Sequence, residues 1–115
     1  MLPCDQDWQI EYPYEDVEQF VLNLPIGLSA KYFHLTDLML EFGANLGLRH
    51  TKPMSGGLFE LRVKGKEGIA RVFYCTKVGK RIIMLHGFIK KTPKTPSNQL
   101  LKAQQRLSEV KNEPQ

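Results

Sequence analysis

Apolar residues recur at two different spacings along this chain, and the spacing changes near Ser55. Before that point they follow the three- and four-residue spacing of a helix that is buried on one side. In residues 58–64 they alternate with polar residues, which is typical of a strand with one buried face, whereas residues 82–85 are apolar on both faces, as in a central strand. We therefore expect an α+β fold in which helices precede a sheet.

The first fifty residues predict a short strand and a helical hairpin. Residues 8–12 alternate large apolar and polar side chains, and Pro13 suits the first turn of a helix. Pro25 and Gly27 separate this helix from a second one that we expect to begin near Ser29. The apolar stripe of the second helix consists of Tyr32, Leu35, Leu38, Met39, Phe42 and Leu46, and Gly43 and Gly47 mark its end.

The second half predicts a three-strand meander and a last helix. We expect strands at residues 58–64, 69–77 and 80–89, with tight turns between them. A last helix is expected to run to about Val110, because apolar residues repeat there at intervals of three and four. Thr95 is its expected N-cap. The expected architecture is an N-terminal strand plus a three-strand antiparallel meander, packed with a helical hairpin and a C-terminal helix. We expect residues 1–115 to form one domain, with its core at about residues 8–111.

Composition narrows the class of protein. A hydrophobic content of 42% excludes a disordered chain, and the longest aliphatic run, residues 82–85, is too short to span a membrane. The net charge is only +4, but it is unevenly distributed. Residues 1–50 carry two bases and eight acids, a net charge of −6, whereas residues 51–115 carry 14 bases and four acids, a net charge of +10. The second half therefore predicts an anion-binding surface.

Metal and cofactor chemistry have no support in the sequence. The three histidines and two cysteines lack the spacing of a zinc site, and no glycine-rich nucleotide motif or hydrolase elbow is present. Cys4 and Cys75 are interpreted as reduced thiols, and residues 1–12 lack the pattern of a secretory signal. We therefore expect a cytoplasmic protein without a metal or cofactor.

Cationic side chains share one face of the predicted meander. Arg62 and Lys64 lie on the first strand and Arg71 on the second, while His86, Phe88 and Lys90 share a face of the third. Such a surface suits a phosphate chain, with Phe88 or Tyr74 available to stack on bases. It also suits RNA cleavage, in which a base activates the 2′-hydroxyl and guanidinium groups stabilise the phosphate.

Structural roles compete with these functional ones. Arg71 lies among apolar residues, where a salt bridge explains it as well as a phosphate contact does. His86 is more often a core histidine than a general base at such a position. Lys66, Lys77, Lys80 and Arg81 lie beside turns and are better explained as solvated charges.

Five segments together resemble the HigB-type toxins of the RelE superfamily, in the branch of phage-derived host-inhibition proteins. They are WQIEY at residues 8–12, LEFG at 40–43, KPMSGGLFELR at 52–62, RVFY at 71–74 and LHGFIKKTPKTP at 85–96. The resemblance spans Trp8 to about Lys111. It implies a RelE-like fold, a small twisted antiparallel sheet backed by helices.

The resemblance also implies a toxin of a type II toxin–antitoxin system. Such a toxin is a metal-independent endoribonuclease that cleaves mRNA on translating ribosomes and is inhibited by a helix-turn-helix antitoxin. The catalytic residues expected from the strand faces and the resemblance are Arg62, Arg71, His86 and Lys90. The expected RNA-binding residues are Lys64, Tyr74, Phe88, Lys91 and Lys94.

One departure leaves the general base open. Many RelE relatives carry a Tyr near the carboxyl terminus that orients the 2′-hydroxyl, and this chain has no Tyr after Tyr74. The base is then His86, a lysine, or a group of the ribosomal RNA. Two other functions remain alternatives: a non-catalytic inhibitor that binds nucleic acid or the ribosome, and a regulatory subunit that binds operator DNA with its partner.

Overall fold

The computed structural model describes residues 7–90 and 96–113, which form three helices and five strands. The helices are α1 (Glu15–Leu22), α2 (Ile26–Phe42) and α3 (Ser97–Lys111). The strands are β1 (Gln9–Glu11), β2 (Thr51–Pro53), β3 (Phe59–Gly65), β4 (Gly68–Lys77) and β5 (Arg81–Lys90). The predicted α+β fold is confirmed, and in this part of the chain no helix is long and apolar enough to cross a membrane.

The sheet has the strand order β1-β5-β4-β3-β2. The meander β3-β4-β5 is antiparallel, as predicted, but β1 lies parallel to β5. Short turns require antiparallel pairing only between consecutive strands, and the whole of the helical hairpin and meander separates β1 from β5. The remaining strand, β2, was not predicted, because its sequence Thr51–Pro53 has no alternating apolar residues and contains a proline.

Helix boundaries differ from the prediction by one turn. The second helix begins at Ile26, directly after Pro25, rather than near Ser29. It ends at Phe42, since Gly43 has a φ of 108° and its N–H bonds to the Met39 carbonyl at 2.8 Å. The expected N-cap of α3, Thr95, lies outside the described residues, and α3 itself begins at Ser97.

The two faces of the sheet are covered differently. Helices α1 and α2 pack on one face, α1 against β5 and α2 against β3 and β4. Tyr32, Leu35 and Met39 of α2 belong to the hydrophobic core on this side. Helix α3 packs on the other face through Ala103, Leu107 and Val110. It contacts β4 and β5 but not β3. The β3 side of that second face is therefore not covered by any described helix.

A β-bulge sets the side-chain directions on β5. The pairing of β4 with β5 shifts between Phe73 and Tyr74, so that Phe73 pairs with His86 and Tyr74 with Met84. The extra residue, Leu85, packs with Phe73 on the α3 side, and His86 contacts Gln99 on the same side. The bulge thus turns two consecutive residues toward α3.

Candidate nucleic-acid interface

A group of four basic residues lies together on the α3 side of the sheet, toward β3, and we call this group the cationic face. Arg62 on β3 pairs directly with Arg71 on β4, which pairs with Phe88 on β5. In the next row, Lys64 pairs with Ile69 and Ile69 with Lys90. The cationic face, Arg62, Lys64, Arg71 and Lys90, therefore crosses three strands, as the alternation predicted.

Arg71 is ion-paired with a buried carboxylate. Its Nη1 contacts Glu60 Oε1, and the two residues are only 9% and 1% exposed. Arg71 Nε and Glu60 Oε2 have no partner among the described residues. The salt bridge, one of the two roles that the sequence left open for Arg71, is thus present. It fixes the guanidinium in place while leaving some of its hydrogen-bonding capacity unused.

Glu60 is a site residue that the sequence reasoning missed. Glu60 lies between Phe59 and Leu61 and is one of the polar residues that alternate with apolar ones along β3. As an acid on the same face as Arg62 and Lys64, it could have been predicted as an ion-pair partner. Lys52 was also missed, because β2 was not predicted. It pairs with Glu60 and is exposed at the edge of the same face.

Arg62 turns toward the outer edge of the sheet. Its Nη2 donates to the Leu48 carbonyl, and its Nε is buried without a partner in the described part of the chain. Lys64, two residues later, is exposed. Both residues therefore extend the cationic face from Arg71 to the edge formed by β3 and residues 47–50.

The surroundings of Lys90, including the other cations of the face, lower its pKa. Partial burial is the largest cause that lowers its pKa, followed by repulsion from Arg71. Glu60 partly offsets these effects, whereas Arg62 and Lys52 lower the pKa further. A lysine in such surroundings gives up its proton more readily than a solvated one.

His86 lies in the row on the other side of Arg71 from Lys90. It is 8% exposed, and its Nε2 contacts Gln99 Oε1 on α3. Because this amide oxygen only accepts, Nε2 carries the hydrogen and Nδ1 has a lone pair, with no partner among the described groups. Burial is the main cause that lowers the pKa of His86, so the ring is neutral at pH 7.

Phe88 is on the expected face but belongs largely to the core. It is 8% exposed, stacks on Phe73 at a ring distance of 6.0 Å, and lies 6.3 Å from the His86 ring. Only its outer edge is accessible to a base.

Tyr74 requires a correction. Its side chain lies on the opposite face of the sheet, is fully buried against α2, and donates a hydrogen bond to the Ala44 carbonyl at 2.6 Å. The expectation that it stacks on RNA is wrong. Three positions separate it from Arg71, so the pleat of β4 places the two side chains on opposite faces.

Two further predictions fall outside the described residues. Lys91 and Lys94 were expected to bind RNA, and both lie in residues 91–95, of which nothing is described. Across residues 7–90 and 96–113, no group of His, Cys, Asp and Glu is placed to hold a metal ion.

Comparison with known protein families gives a match over most of the chain. A family model described as "Phage derived protein Gp49-like (DUF891)" matches residues 19–108. That range includes α2, β2 to β5, the cationic face and most of α3. No curated protein matches the chain.

Proposed function

The chain belongs to the Gp49-like family of phage-derived proteins, and we propose that it is the toxin of a type II toxin–antitoxin system. In this proposal it is a HigB-type member of the RelE superfamily that cleaves mRNA on translating ribosomes without a metal ion. It acts in the cytoplasm, and a helix-turn-helix antitoxin inhibits it. The five HigB-like segments support the proposal.

The observation that carries the proposal is the cationic face itself. Arg62 and Arg71 are direct neighbours on adjacent strands, and on their face of the sheet no described helix covers β3. Guanidinium groups bind a phosphodiester through paired hydrogen bonds and stabilise the charge that develops when it is attacked. We assign phosphate binding to these two arginines.

Two groups that can transfer protons, His86 and Lys90, lie on β5 on either side of Phe88, the residue that pairs with Arg71. His86 and Lys90 are four residues apart on β5, so their Cα atoms are separated by about 13 Å with Phe88 between them. Phe88 pairs with Arg71, so a phosphate bound at Arg71 lies between the two side chains. We assign the role of general acid to Lys90, which protonates the leaving oxygen.

The general base is assigned to a residue among those paired across the strands with Phe73, which are Glu60 and His86. His86 Nδ1 and Glu60 Oε2 are both unpartnered among the described groups, and both residues pair with Phe73. A neutral imidazole accepts the 2′-hydroxyl proton directly, which favours His86. Loss of cleavage in Glu60→Gln with cleavage retained in His86→Asn would reassign the base to Glu60.

A non-catalytic inhibitor is the second candidate. Arg71 and His86 are only 9% and 8% exposed, which limits their access to a scissile phosphate in this conformation. Such an inhibitor would bind nucleic acid or the ribosome through the exposed members of the face and stop growth without cutting RNA.

The test is induced expression of the chain, with growth measurement and mapping of RNA 5′ ends. The proposal predicts growth arrest and new 5′ ends within translated messages. Arg71→Lys and Lys90→Ala should remove the new ends, whereas Lys66→Ala, at an exposed turn, should keep them. Arrest with intact messages would favour the non-catalytic inhibitor, and absence of arrest would overturn the toxin assignment. Co-expression of the adjacent open reading frame tests the antitoxin.

A further inference from the structure

A second basic site lies at the outer edge of β3, and we call it the edge pocket. It is a cavity of about 410 Å³ lined by Lys31, Arg49, His50, Arg62 and Lys64. Each of these side chains is a cation or an imidazole, and none of the acidic residues in the described part of the chain lines the cavity. Its chemistry therefore suits an anion with several acceptor oxygens.

The edge pocket is assembled from three distant parts of the chain. Lys31 lies on α2, Arg49 and His50 precede β2, and Arg62 and Lys64 lie on β3. Lys31 and Arg49 are the only two bases among residues 1–50, which otherwise have a net negative charge. The fold places both of them beside the basic strand.

The charges in the edge pocket act on one another. Burial is the largest cause that lowers the pKa of His50, and Lys31, Arg49, His34 and Arg62 lower it further by repulsion. The backbone near the pocket is fixed, since the Arg62 N–H bonds to the His50 carbonyl at 2.8 Å and the Arg62 side chain bonds to Leu48. Hydrogen bonds of Arg62 thus fix one side of the pocket, and no salt bridge among the described residues neutralises the cations that line it.

We propose that the edge pocket binds a phosphate of the RNA backbone next to the one bound at Arg71. The inference rests on the proposed function, because it takes RNA as the ligand of the cationic face. Arg62 and Lys64 belong to both surfaces, and Arg62 pairs directly with Arg71. A single strand that crosses the cationic face toward β3 reaches the edge pocket next, and Lys31 and Arg49 then neutralise a flanking phosphate.

The test measures binding of a short 2′-O-methyl RNA oligonucleotide, which lacks the attacking hydroxyl and is not cleaved. Affinity is measured over a range of salt concentrations for the full chain and for Lys31→Ala, Arg49→Ala and their combination. Loss of one phosphate contact should reduce the slope of log K against log salt by about 0.7. The double variant should bind about tenfold more weakly, independent of base sequence.

Lys102→Ala is the matched control, because Lys102 is exposed on α3 and does not line the edge pocket. It removes the same charge and should leave the salt slope within error. NMR signals of the His50 ring provide a second readout. They should shift when the oligonucleotide is added to the wild-type chain and to Lys102→Ala, and shift much less in the double variant.

The outcomes separate this inference from the proposed function. An unchanged salt slope in the double variant, with RNA still bound, would overturn the edge-pocket assignment and leave the cationic face intact. Tighter, pocket-dependent binding of ATP than of the oligonucleotide would identify a nucleotide site and also overturn it. RNA binding with the expected slopes but without message cleavage would support the edge pocket and contradict only the enzymatic function.

Discussion

Arg71 on β4 and Glu60 on β3 form a buried ion pair on the face of the sheet that carries the other cations. The pair links fold and function, because the arginine assigned to the phosphate is also a structural group. Its guanidinium is held in position by a carboxylate that solvent hardly reaches.

Arg71→Ala should therefore lower stability as well as activity. It leaves Glu60 buried without its ion-pair partner, and breaking a buried pair from one side typically costs about 3–5 kcal/mol. Urea unfolding measures the loss. Lys64→Ala, on the same face but exposed, should change the free energy of unfolding by less than about 0.5 kcal/mol. Equal stabilities of Arg71→Ala and the wild type would contradict the buried-pair interpretation.

Lys90→Ala should reduce cleavage without a comparable loss of stability. Lys90 is half-buried at the end of β5, and the described residues make no salt bridge to it. Removal of one charge-stabilising donor typically costs about a hundredfold in rate. Single-turnover cleavage in a translating extract measures the effect. A wild-type rate in this variant would remove Lys90 from the proposed mechanism.

Stability should fall as the pH decreases through the histidine range. The pKa of His86 is lowered in the folded chain, so the unfolded chain binds more protons at pH values between that lowered pKa and about 6.5. The contribution of His86 to the free energy of unfolding is complete above about pH 6.5 and decreases below it. It levels off at pH values beneath the pKa of His86 in the folded chain. Urea unfolding at about pH 7.5 and 5.5 should show a smaller difference for His86→Asn than for the wild type.

The contribution of His50 to stability also decreases as the pH falls, because its pKa is lowered in the folded chain. His50→Asn therefore separates the two histidines. Glu11 and Asp16 also have lowered pKa values, but their contributions to stability are lost only near and below the ordinary pKa values of these side chains, 4.5 and 3.8. An identical pH dependence in His86→Asn and the wild type would exclude His86 as the group responsible.

Arg106→Ala should loosen the attachment of α3. Arg106 is ion-paired with Asp16 on α1 at 3.0 Å, donates to the Leu85 carbonyl at 2.9 Å, and lies 4.1 Å from the centre of the Tyr14 ring. The substitution leaves a carbonyl of the bulge unpaired, which costs about 1–3 kcal/mol. Thermal unfolding should show the loss for Arg106→Ala and little change for Lys102→Ala on the same helix.

Gly87→Ala should interfere with the packing of α1 on the sheet. A Cβ at this position would lie 2.6 Å from Cδ2 of Phe20, which is too close for two carbon atoms. Such overpacking typically costs about 1–3 kcal/mol. The double variant Gly87→Ala/Phe20→Ala should lose less stability than the sum of the single variants, because it removes the clash. Strict additivity would show that the two residues do not interact.

The sequence by itself determined the three helices, the strands other than β2, and the directions of side chains within the regular parts of those strands. Alternation is a property of the extended backbone, so residues two apart share a face wherever the strand lies. Arg62 and Lys64 could be placed together for this reason, and so could His86, Phe88 and Lys90. The same rule excludes Tyr74 from the face of Arg71, although that consequence was not drawn from the sequence.

Only the tertiary structure decided which strands, loops and helices meet. The parallel pairing of β1 with β5, the shift at Phe73 and the partial cover by α3 depend on contacts between distant segments. So do the pairing of Arg71 with Glu60 and the approach of Lys31 and Arg49 to β3. The spacing of apolar residues indicates only whether one segment is a helix or a strand. These contacts depend instead on the free energy of packing the whole chain.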